Sequence, residues 1–555
     1  MPARLAWIST AVIPFALGLA TVFLQRAGGV TMFDDEMGFL GEAVLLSARS
    51  GEPLLRGIPF YSPGYPVLLA APLSVLPFDP WVVAVGTNLV LLAALGPLLH
   101  SVIRQLFDLP AAHAAIAAAA GAAAPSVVFQ VPRAWSEVAM AFAFTTWAWL
   151  LLRYSRRGPT VGAVPLAVAA GCMLSVHRRS SVVVVLTLGA IAIWSLLPLL
   201  RREAPLSERV RAVPWRTLVL AELAGVATAL AALALDSWVV DRLYDGTTSG
   251  SRLEKAQNLF STAWIPAVLG HLWSFLATTF ALAGVGALFL LSVLRAKRHV
   301  TFSLVLLLAV GGIAMTSVLF LANGIRADQL VYERYLAPTA PILVALGTAA
   351  VAQRARAPRW WLLGAVGTLV LSGLALSVSL EDSRLTGDVQ KFTVPTLTSF
   401  DVVATGWGEA FTSQIHVLPI TALVVAGAVL IGLAATRRPG LAAGGVLLVA
   451  AATVAAGSAG NLRQFGDLWE PTGREASAVL RDADIDALQY APELRHEARN
   501  VLHYRLDYPT AVLTDPPSCD VAEYTVGPPG LEQLHDLVPV VSVGNFPGVV
   551  YQLDC

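Results

Sequence analysis

Thirteen apolar segments, most of them about 20 residues long, dominate the sequence. A helix of that length and composition crosses the hydrocarbon core of a bilayer. Only 13% of the 555 residues are charged, about half the level of an ordinary soluble protein. These features exclude a soluble enzyme, a disordered chain and a nucleic-acid-binding protein that works through a basic surface. The sequence therefore predicts an all-α polytopic membrane protein with about 13 transmembrane helices. The predicted spans are residues 5–26, 81–103, 111–130, 137–152, 160–177, 180–200, 217–240, 265–294, 301–321, 333–352, 360–380, 415–436 and 439–458.

The segment 64–78 is apolar but short and contains three prolines, which is typical of a helix on the membrane surface. With this segment left out of the count and the N-terminus in the cytoplasm, every dense Arg and Lys cluster but one lies on the cytoplasmic side. The exception is His177–Arg179. Two arginines on the outer side indicate either a local topology error or an anion-binding site. The first span is longer than the apolar core of a signal peptide and lacks a convincing cleavage site, so we expect it to be retained.

This topology divides the chain into a transmembrane domain, residues 1–458, and a small extracytoplasmic domain, residues 459–555. The other outer segments are 27–80, 241–264 and 381–414. In the tail, residues 472–484 have helical periodicity, and three short runs have strand character, which predicts a small α/β domain. The strand-like runs are 510–513, 538–543 and 548–553. Cys519 and Cys555 lie in this tail, either as a disulfide or as two free thiols.

Three consecutive carboxylates, Asp34, Asp35 and Glu36, follow the first span. Adjacent carboxylates at a bilayer surface repel one another, and such a cluster needs a cation, hydrogen-bond donors or a chemical role. A carboxylate can act as a general base that takes a proton from an attacking hydroxyl group. The same three side chains are candidate ligands for Mg²⁺ or Mn²⁺. The alternative interpretation is a solvated acidic loop.

Four further segments accompany the acidic cluster: GIPFYSPGYPVLLAAPL at 57–73, AWSEVAMAFAFTTWAWLLLRY at 134–154, SVHRRSSVVVVL at 175–186 and YERYLAPTAPILVAL at 332–346. In this order they resemble the membrane glycosyltransferases of the GT-C superfamily, which include protein O-mannosyltransferases and lipid A aminoarabinose transferases. The thirteen spans and the outer tail also resemble the aminoarabinose-transferase architecture. The resemblance covers about 350 residues as a combination of patterns, none of which is specific alone.

The resemblance implies transfer of a sugar from a polyprenyl-phosphate carrier to an acceptor hydroxyl or amine, with inversion. It implies that Asp35 is the general base, although Asp34 is close enough in sequence to exchange roles with it. Glu36 would orient the acceptor or bind a cation. Arg178 and Arg179 correspond to the cations that hold the donor phosphate in that superfamily. Arg334 is a further cation candidate, unless it pairs with its neighbour Glu333.

Four other residues are candidates for substrate binding: Tyr61, Tyr65, Trp135 and Glu137. The aromatic rings would stack on sugars, but aromatic residues at this depth are also normal in the interfacial belt. Glu137 would bind the acceptor or pair with Arg133.

We therefore expect a glycosyltransferase at the outer face of a bacterial cytoplasmic membrane, with a glycan, lipid or protein acceptor and no nucleic-acid partner. A transporter or flippase would need ionisable residues at mid-membrane, whereas Glu222 and Asp236 lie towards the ends of their span. A non-catalytic scaffold that presents the tail, and an oligosaccharide polymerase or ligase on the same fold, are further alternatives.

Overall fold

The computed structural model describes residues 3–27, 34–47, 62–200, 206–243, 264–321, 327–353, 357–381, 394–405 and 415–460, with short stretches of the tail at 463, 475, 478–480, 488–491, 523–527, 538–542 and 549–553. The chain is mostly helical. The first ten helices are α1 (Ala3–Leu24), α2 (Asp34–Leu46), α3 (Gly64–Val75), α4 (Pro80–Leu106), α5 (Ala111–Ala122), α6 (Pro125–Val128), α7 (Glu137–Arg157), α8 (Pro159–Val176), α9 (Ser181–Leu196) and α10 (Leu206–Arg211).

The second group of helices completes the membrane part. These are α11 (Trp215–Leu243), α12 (Trp264–Thr278), α13 (Leu282–Arg295), α14 (Val300–Leu321), α15 (Ala327–Leu330), α16 (Ala340–Ala352), α17 (Ala357–Glu381), α18 (Pro395–Thr405), α19 (Val417–Arg437) and α20 (Pro439–Ala459). Short 3₁₀ turns connect some of them, at Arg178–Ser180, Leu197–Leu200, Glu333–Tyr335 and Ala337–Thr339.

Every predicted span coincides with a helix or with a pair of helices. Among the described residues, eight helices are long and apolar enough to cross a membrane, or nine if one bent pair counts as a single span. The chain is thus a multi-pass membrane protein, while the count of thirteen stays a prediction. The predicted span 333–352 begins later in the structure, because residues 333–339 form 3₁₀ turns before α16.

The predicted span 265–294 is broken in the structure. It consists of α12 and α13, whose axes meet at 101°. The break lies at Phe280 and Ala281, which have φ angles of 49° and 61°. A left-handed backbone is unfavourable for residues with a Cβ and cannot continue a right-handed helix. The chain therefore turns sharply here; both halves contact α14 and α17, and the second half also packs closely against α16.

Glycine allows two of the central helices to approach closely. A Cβ atom on Gly347 of α16 would lie 2.0 Å from the carbonyl oxygen of Leu282 on α13, and one on Gly286 would lie 2.2 Å from that of Leu343. Small residues at such positions let helices pack backbone against backbone in a membrane. This contact fixes α16 and, with it, the turn that precedes it.

The segment predicted to lie on the membrane surface forms the short helix α3, followed by extended chain. At 12 residues α3 is too short to span a bilayer. It packs against α2, α4 and the end of α8. Its position relative to the membrane surface stays a prediction.

In the tail, the described residues form a four-stranded sheet of order β1-β2-β4-β3. Strand β1 pairs parallel to β2, and the other neighbours are antiparallel. The strands are β1 (Gln489–Tyr490), β2 (Tyr524–Gly527), β3 (Val538–Ser542) and β4 (Val549–Gln552). Two of them coincide with the predicted runs 538–543 and 548–553.

The remaining predictions for the tail lie largely outside the described residues. These are the strand at 510–513, most of the helix at 472–484, and Cys519 and Cys555. Within 472–484, residues 475 and 478–480 are helical. The small α/β domain beyond this sheet stays a prediction.

Candidate active site

Four parts of the chain meet at one end of the helix bundle, which we call the site end. The start of α2 contributes Asp35 and Glu36, and the start of α7 contributes Trp135 and Glu137. The turn 177–180 between α8 and α9 is the first arginine turn. The turn 332–336 before α16 is the second arginine turn. Because α7 begins and α8 ends here, the basic cluster at 153–157 lies at the opposite end of the bundle.

Arg334, in the second arginine turn, is the centre of the charged network. Its Nε donates to Glu137 Oε1 at 2.5 Å, and its Nη1 donates to Asp35 Oδ2 at 2.6 Å. Its guanidinium also lies over the Trp135 ring, 3.8 Å from the ring centre. These contacts join three parts of the chain that are far apart in sequence.

The two carboxylates that bind Arg334 differ in exposure. The Glu137 side chain is 1% exposed, whereas that of Asp35 is 30% exposed. Burial would lower the pKa of Arg334, but the negative charges of Glu137 and Asp35 outweigh it and raise the pKa well above its usual value. Arg334 therefore stays charged, held from the protein side by Glu137 and from the accessible side by Asp35.

Arg179, in the first arginine turn, is buried with a different set of partners. Its Nη1 donates to the carbonyl oxygen of Tyr335 at 3.0 Å, and its guanidinium lies 3.8 Å from the centre of the Tyr335 ring. Its Nη2 lies 2.8 Å from Nε2 of His177. Burial and the charges of Arg179, Arg334 and Arg178 lower the pKa of His177 well below its usual value, so the imidazole is neutral. Among the described residues, no carboxylate forms an ion pair with Arg179.

Arg178 points to a different partner from Arg179. Its Nη2 and Nε both donate to Asp236 Oδ2, at 2.5 and 3.0 Å. Asp236 lies near the end of α11 and is buried. Arg178 therefore has a protein carboxylate as counter-ion, and its predicted role in binding phosphate stays a prediction.

A network of hydrogen bonds fixes the segment 131–134, which leads to Trp135. The Asn88 side chain donates to the carbonyl oxygens of Val131 and Arg133, at 3.2 and 2.8 Å. Glu36 Oε1 accepts a hydrogen bond from the backbone N–H of Ala134 at 3.0 Å. Asn88 is thus a polar residue within the apolar helix α4, and it positions the Trp135 ring beneath Arg334.

The aromatic candidates fall into three groups. Trp135 belongs to the charged network, as described above. Tyr65 is fully buried, packs edge-on against Phe39 and donates its hydroxyl to Asn88 Oδ1 at 3.2 Å. Tyr61 lies outside the described residues, as does the side chain of Asp34, the first residue of α2. The predicted contacts of Tyr61 and Tyr65 with a sugar stay predictions.

Two pairings considered from the sequence differ in the structure. Arg334 does not pair with Glu333, because the Glu333 carboxylate faces the start of α18 and accepts hydrogen bonds from Thr396 and Leu397. Glu137 pairs with Arg334 and not with Arg133, which instead lies within electrostatic reach of Glu36. In both cases a residue distant in the sequence is closer in space than the neighbour.

Sequence reasoning missed three residues that shape the site: Asn88, Tyr335 and Glu333. An asparagine within an apolar span is a signal that could have identified Asn88. Tyr335 is part of the Tyr-Glu-Arg-Tyr sequence, but nothing in that sequence indicates that its ring stacks on Arg179.

For metal binding, no group of three or more His, Cys, Asp or Glu side chains in the described part of the chain is arranged to hold an ion. Asp35 and Glu36 are directed to different partners, Arg334 and the backbone of Ala134. A divalent cation at the acidic cluster stays a prediction.

The arrangement of the helices is similar to that of solved protein structures. The chain is similar to ArnT from Cupriavidus metallidurans over 97% of both chains, with a TM-score of 0.54 for the apo structure and 0.56 for the structure bound to undecaprenyl phosphate. The chain has the GT-C fold. The sequence identities are only 12% and 14%, so this likeness concerns the fold alone. No protein-family model and no curated protein sequence matches the chain. The GT-C fold expected from the four sequence segments is thereby confirmed.

Proposed function

We propose that this chain is a membrane glycosyltransferase that moves a sugar from a polyprenyl-phosphate carrier to an acceptor hydroxyl or amine. In this proposal the reaction takes place at the outer face of a bacterial cytoplasmic membrane, where a glycan, lipid or protein supplies the acceptor. The observation that carries it is the convergence of Asp35, Glu137, Arg334 and Arg179 from four parts of the chain at one end of the bundle. The charges of all four groups act on the Tyr335 hydroxyl, which supports one shared site.

Asp35 is the proposed general base because it is the accessible member of the two carboxylates that hold Arg334. An oxygen that takes a proton from the acceptor must be within hydrogen-bond reach of it. The 30% exposed Asp35 side chain meets that requirement better than Glu137, which is 1% exposed. Arg334 orients the Asp35 carboxylate, while Glu137 and the Trp135 ring hold Arg334 in place. Asp34 remains the second candidate for the same role.

The proposed reaction is a single displacement at C1 of the sugar. The acceptor oxygen or nitrogen forms the new bond to C1 while its proton moves to Asp35. The bond between C1 and the phosphate oxygen breaks on the opposite face, and the configuration at C1 inverts. The lipid phosphate leaves with the electron pair, so it gains negative charge that a fixed cation stabilises.

Arg179 is the proposed partner of that phosphate. A buried guanidinium binds phosphate through its planar set of N–H donors. In the described structure its contacts are a carbonyl oxygen, a neutral imidazole and an aromatic face, none of which cancels its charge. Arg178 and Arg334 both have carboxylate partners, so we rank them below Arg179 for this role.

The test is transfer in vitro from a small panel of labelled polyprenyl-phosphate sugars by the purified protein in lipid nanodiscs. Wild-type protein should transfer one of these sugars, and Asp35→Asn should lose at least 99% of the rate while it folds and inserts normally. Glu208→Gln, which removes an exposed charge far from the site, is the matched control. Parallel assays with magnesium, manganese or EDTA test whether transfer depends on a divalent cation, since carboxylates such as Asp35 are the ligands these ions prefer.

Three results would contradict the proposal. Full transfer by Asp35→Asn and by the double variant Asp34→Asn with Asp35→Asn would remove the base from this cluster. Movement of an intact lipid-linked sugar across the bilayer, without transfer from any donor, would favour the transporter alternative. If the purified protein transfers no sugar, and its function in cells is unchanged by Asp35→Asn, the scaffold alternative is favoured.

A further inference from the structure

Glu333 is a buried carboxylate that directly precedes Arg334 but faces away from it. Its Oε1 accepts hydrogen bonds from the backbone N–H of Thr396 at 3.2 Å and from the Thr396 hydroxyl at 2.5 Å. Its Oε2 accepts from the backbone N–H of Leu397 at 3.2 Å. Glu333, Thr396 and Leu397 are all at most 2% exposed. The contact is therefore a closed joint between the second arginine turn and α18.

The backbone N–H groups of Thr396 and Leu397, at the start of α18, need hydrogen-bond acceptors. The first turn of a helix leaves backbone N–H groups without partners inside the helix, and its N-terminus carries partial positive charge. An ionised carboxylate satisfies both conditions, and hydrogen bonds to a charged group are the stronger ones. Glu333 thus caps α18 from a segment more than 60 residues earlier in the chain.

The joint connects the predicted outer segment 381–414 to the charged network. Helix α18 belongs to the segment 381–414, and Glu333 belongs to the turn whose next residue bonds to Asp35 and Glu137. Neighbouring Cα atoms are about 3.8 Å apart, so a shift of the Glu333 backbone moves Arg334 with it. A displacement of about 1 Å in such a network can reduce a reaction rate about a hundredfold.

We propose that Glu333 is a positioning residue that couples α18 to Arg334. When α18 is capped by Glu333, the second arginine turn holds Arg334 against Asp35 and Glu137. When the joint opens, the turn and α18 move independently and Arg334 loses its alignment. This inference rests on the proposed function for its effect on catalysis, but the coupling itself is a property of the fold.

Protonation of Glu333 should stabilise the joint rather than open it. Burial raises the pKa of Glu333 to about 7, although its hydrogen bonds with Thr396 and Leu397 oppose that rise. A protonated carboxyl group can donate to the Thr396 hydroxyl oxygen, because a hydroxyl group accepts as well as donates. Other titratable groups near the joint are His271 on α12, Asp401 on α18, which pairs with His416, and Arg334, Tyr332 and Tyr335 in the turn itself. Because the pKa is raised in the closed joint, the closed joint binds the proton more tightly than an open one, so the joint should be most stable below about pH 7 and weaker above it.

The experiment is a double-mutant cycle with Glu333→Gln, Thr396→Val and the double variant. Glutamine keeps one acceptor but points an NH₂ group at a backbone N–H. We expect kcat for sugar transfer at pH 8 to fall about tenfold in Glu333→Gln and about threefold in Thr396→Val. The double variant should be no slower than Glu333→Gln, because both changes open one joint. Glu208→Gln is the control for loss of one charge.

A second measurement separates failure of this inference from failure of the proposed function. Hydrogen exchange at pH 8 needs no substrate, and Thr396→Val should speed exchange at residues 332–336 as well as in α18. Faster exchange confined to α18 would overturn the coupling, whatever the enzyme transfers. In active protein, a wild-type kcat in Glu333→Gln, or multiplicative losses in the double variant, would also overturn it. If no donor is used but exchange at 332–336 rises, the proposed function fails and the coupling stands.

Discussion

The two arginine turns at the site end bury the same charged group in different ways. In the second turn, Arg334 has two carboxylate partners and an aromatic face beneath it. In the first turn, Arg179 has a carbonyl oxygen, a neutral imidazole and an aromatic face, and no carboxylate pairs with it among the described residues. Tyr335 contributes to both environments, as a member of the second turn that stacks on the arginine of the first.

The difference separates two roles that a guanidinium can have in a buried site. A buried charge must be compensated, and protein carboxylates do this for Arg334 permanently. Arg179 keeps its positive charge available to a ligand, as binding of a donor phosphate requires. In the proposed function, Arg334 therefore organises the site and Arg179 binds the phosphate. Each variant below tests one of these two roles.

The largest effect is expected for Arg334→Ala. It leaves Glu137 buried without its partner, and loss of one member of a buried ion pair destabilises proteins by about 3–5 kcal/mol. Transfer should also be abolished, because Asp35 loses the group that orients it. Thermal unfolding in detergent and the transfer assay measure the two effects. The double variant Arg334→Ala with Glu137→Gln should recover most of the stability and none of the activity. If stability is not recovered, the ion pair is not what the second turn needs.

Arg179→Ala should affect donor binding much more than folding. We expect kcat/KM for the polyprenyl-phosphate donor to fall about a hundredfold, the size of effect seen when one stabilising donor is removed from an active site. The unfolding temperature should change little, because no buried carboxylate is left without a partner. Arg178→Ala is the matched comparison: its carboxylate partner Asp236 predicts a change in kcat/KM of at most about threefold, together with a loss of stability because the buried Asp236 loses its arginine. Equal losses for Arg178→Ala and Arg179→Ala would contradict the distinction between them.

Much of the fold could be predicted from the sequence, because apolar periodicity is local. Each predicted span coincides with a helix or a helix pair. The break between α12 and α13 could not be predicted, because Phe280 and Ala281 are ordinary apolar residues and nothing local indicates their left-handed backbone. The GT-C fold is predicted from the order of four motifs along the chain, and amino-acid composition carries no information about that order.

The charged site was predicted only as a set of candidates. Asp35, Arg179, Arg334, Trp135 and Glu137 were all identified, but their pairing was not. Arg334 bonds to residues 197 and 299 positions away in the chain. A single sequence carries no signal for such distant contacts, so reasoning from neighbours favoured Glu333 and Arg133 instead.

The second turn also contains a buried acid, and this gives it a pH dependence of its own. Glu333 has a pKa of about 7 in the folded protein, compared with about 4.3 in an unfolded chain. The folded state binds the proton more tightly, so this contribution to stability is full below about pH 4.3 and is lost as the pH rises through 7. Between pH 5 and 7.5 the stability of wild type relative to Glu333→Gln should fall by about 2 kcal/mol. Unfolding temperatures of both proteins across this range measure it, and parallel curves would contradict the prediction.

The smallest effect is expected for Tyr65→Phe, which reaches the second turn only indirectly. The Tyr65 hydroxyl bonds to Asn88, and Asn88 holds the segment that carries Trp135 beneath Arg334. Loss of this one hydrogen bond should cost about 1 kcal/mol of stability. Transfer should change by less than about threefold, and donor KM, which depends on Arg179, should not change.

The control for this variant is Tyr524→Phe, in strand β2 of the tail and far from the site in sequence. It should leave both stability and transfer close to wild type. If Tyr65→Phe instead abolishes transfer without changing the unfolding temperature, the Tyr65 hydroxyl contacts a substrate. In that case the packing of Tyr65 against Phe39 and Asn88 is only one of its conformations. The first outer segment would then bind substrate alongside the two arginine turns.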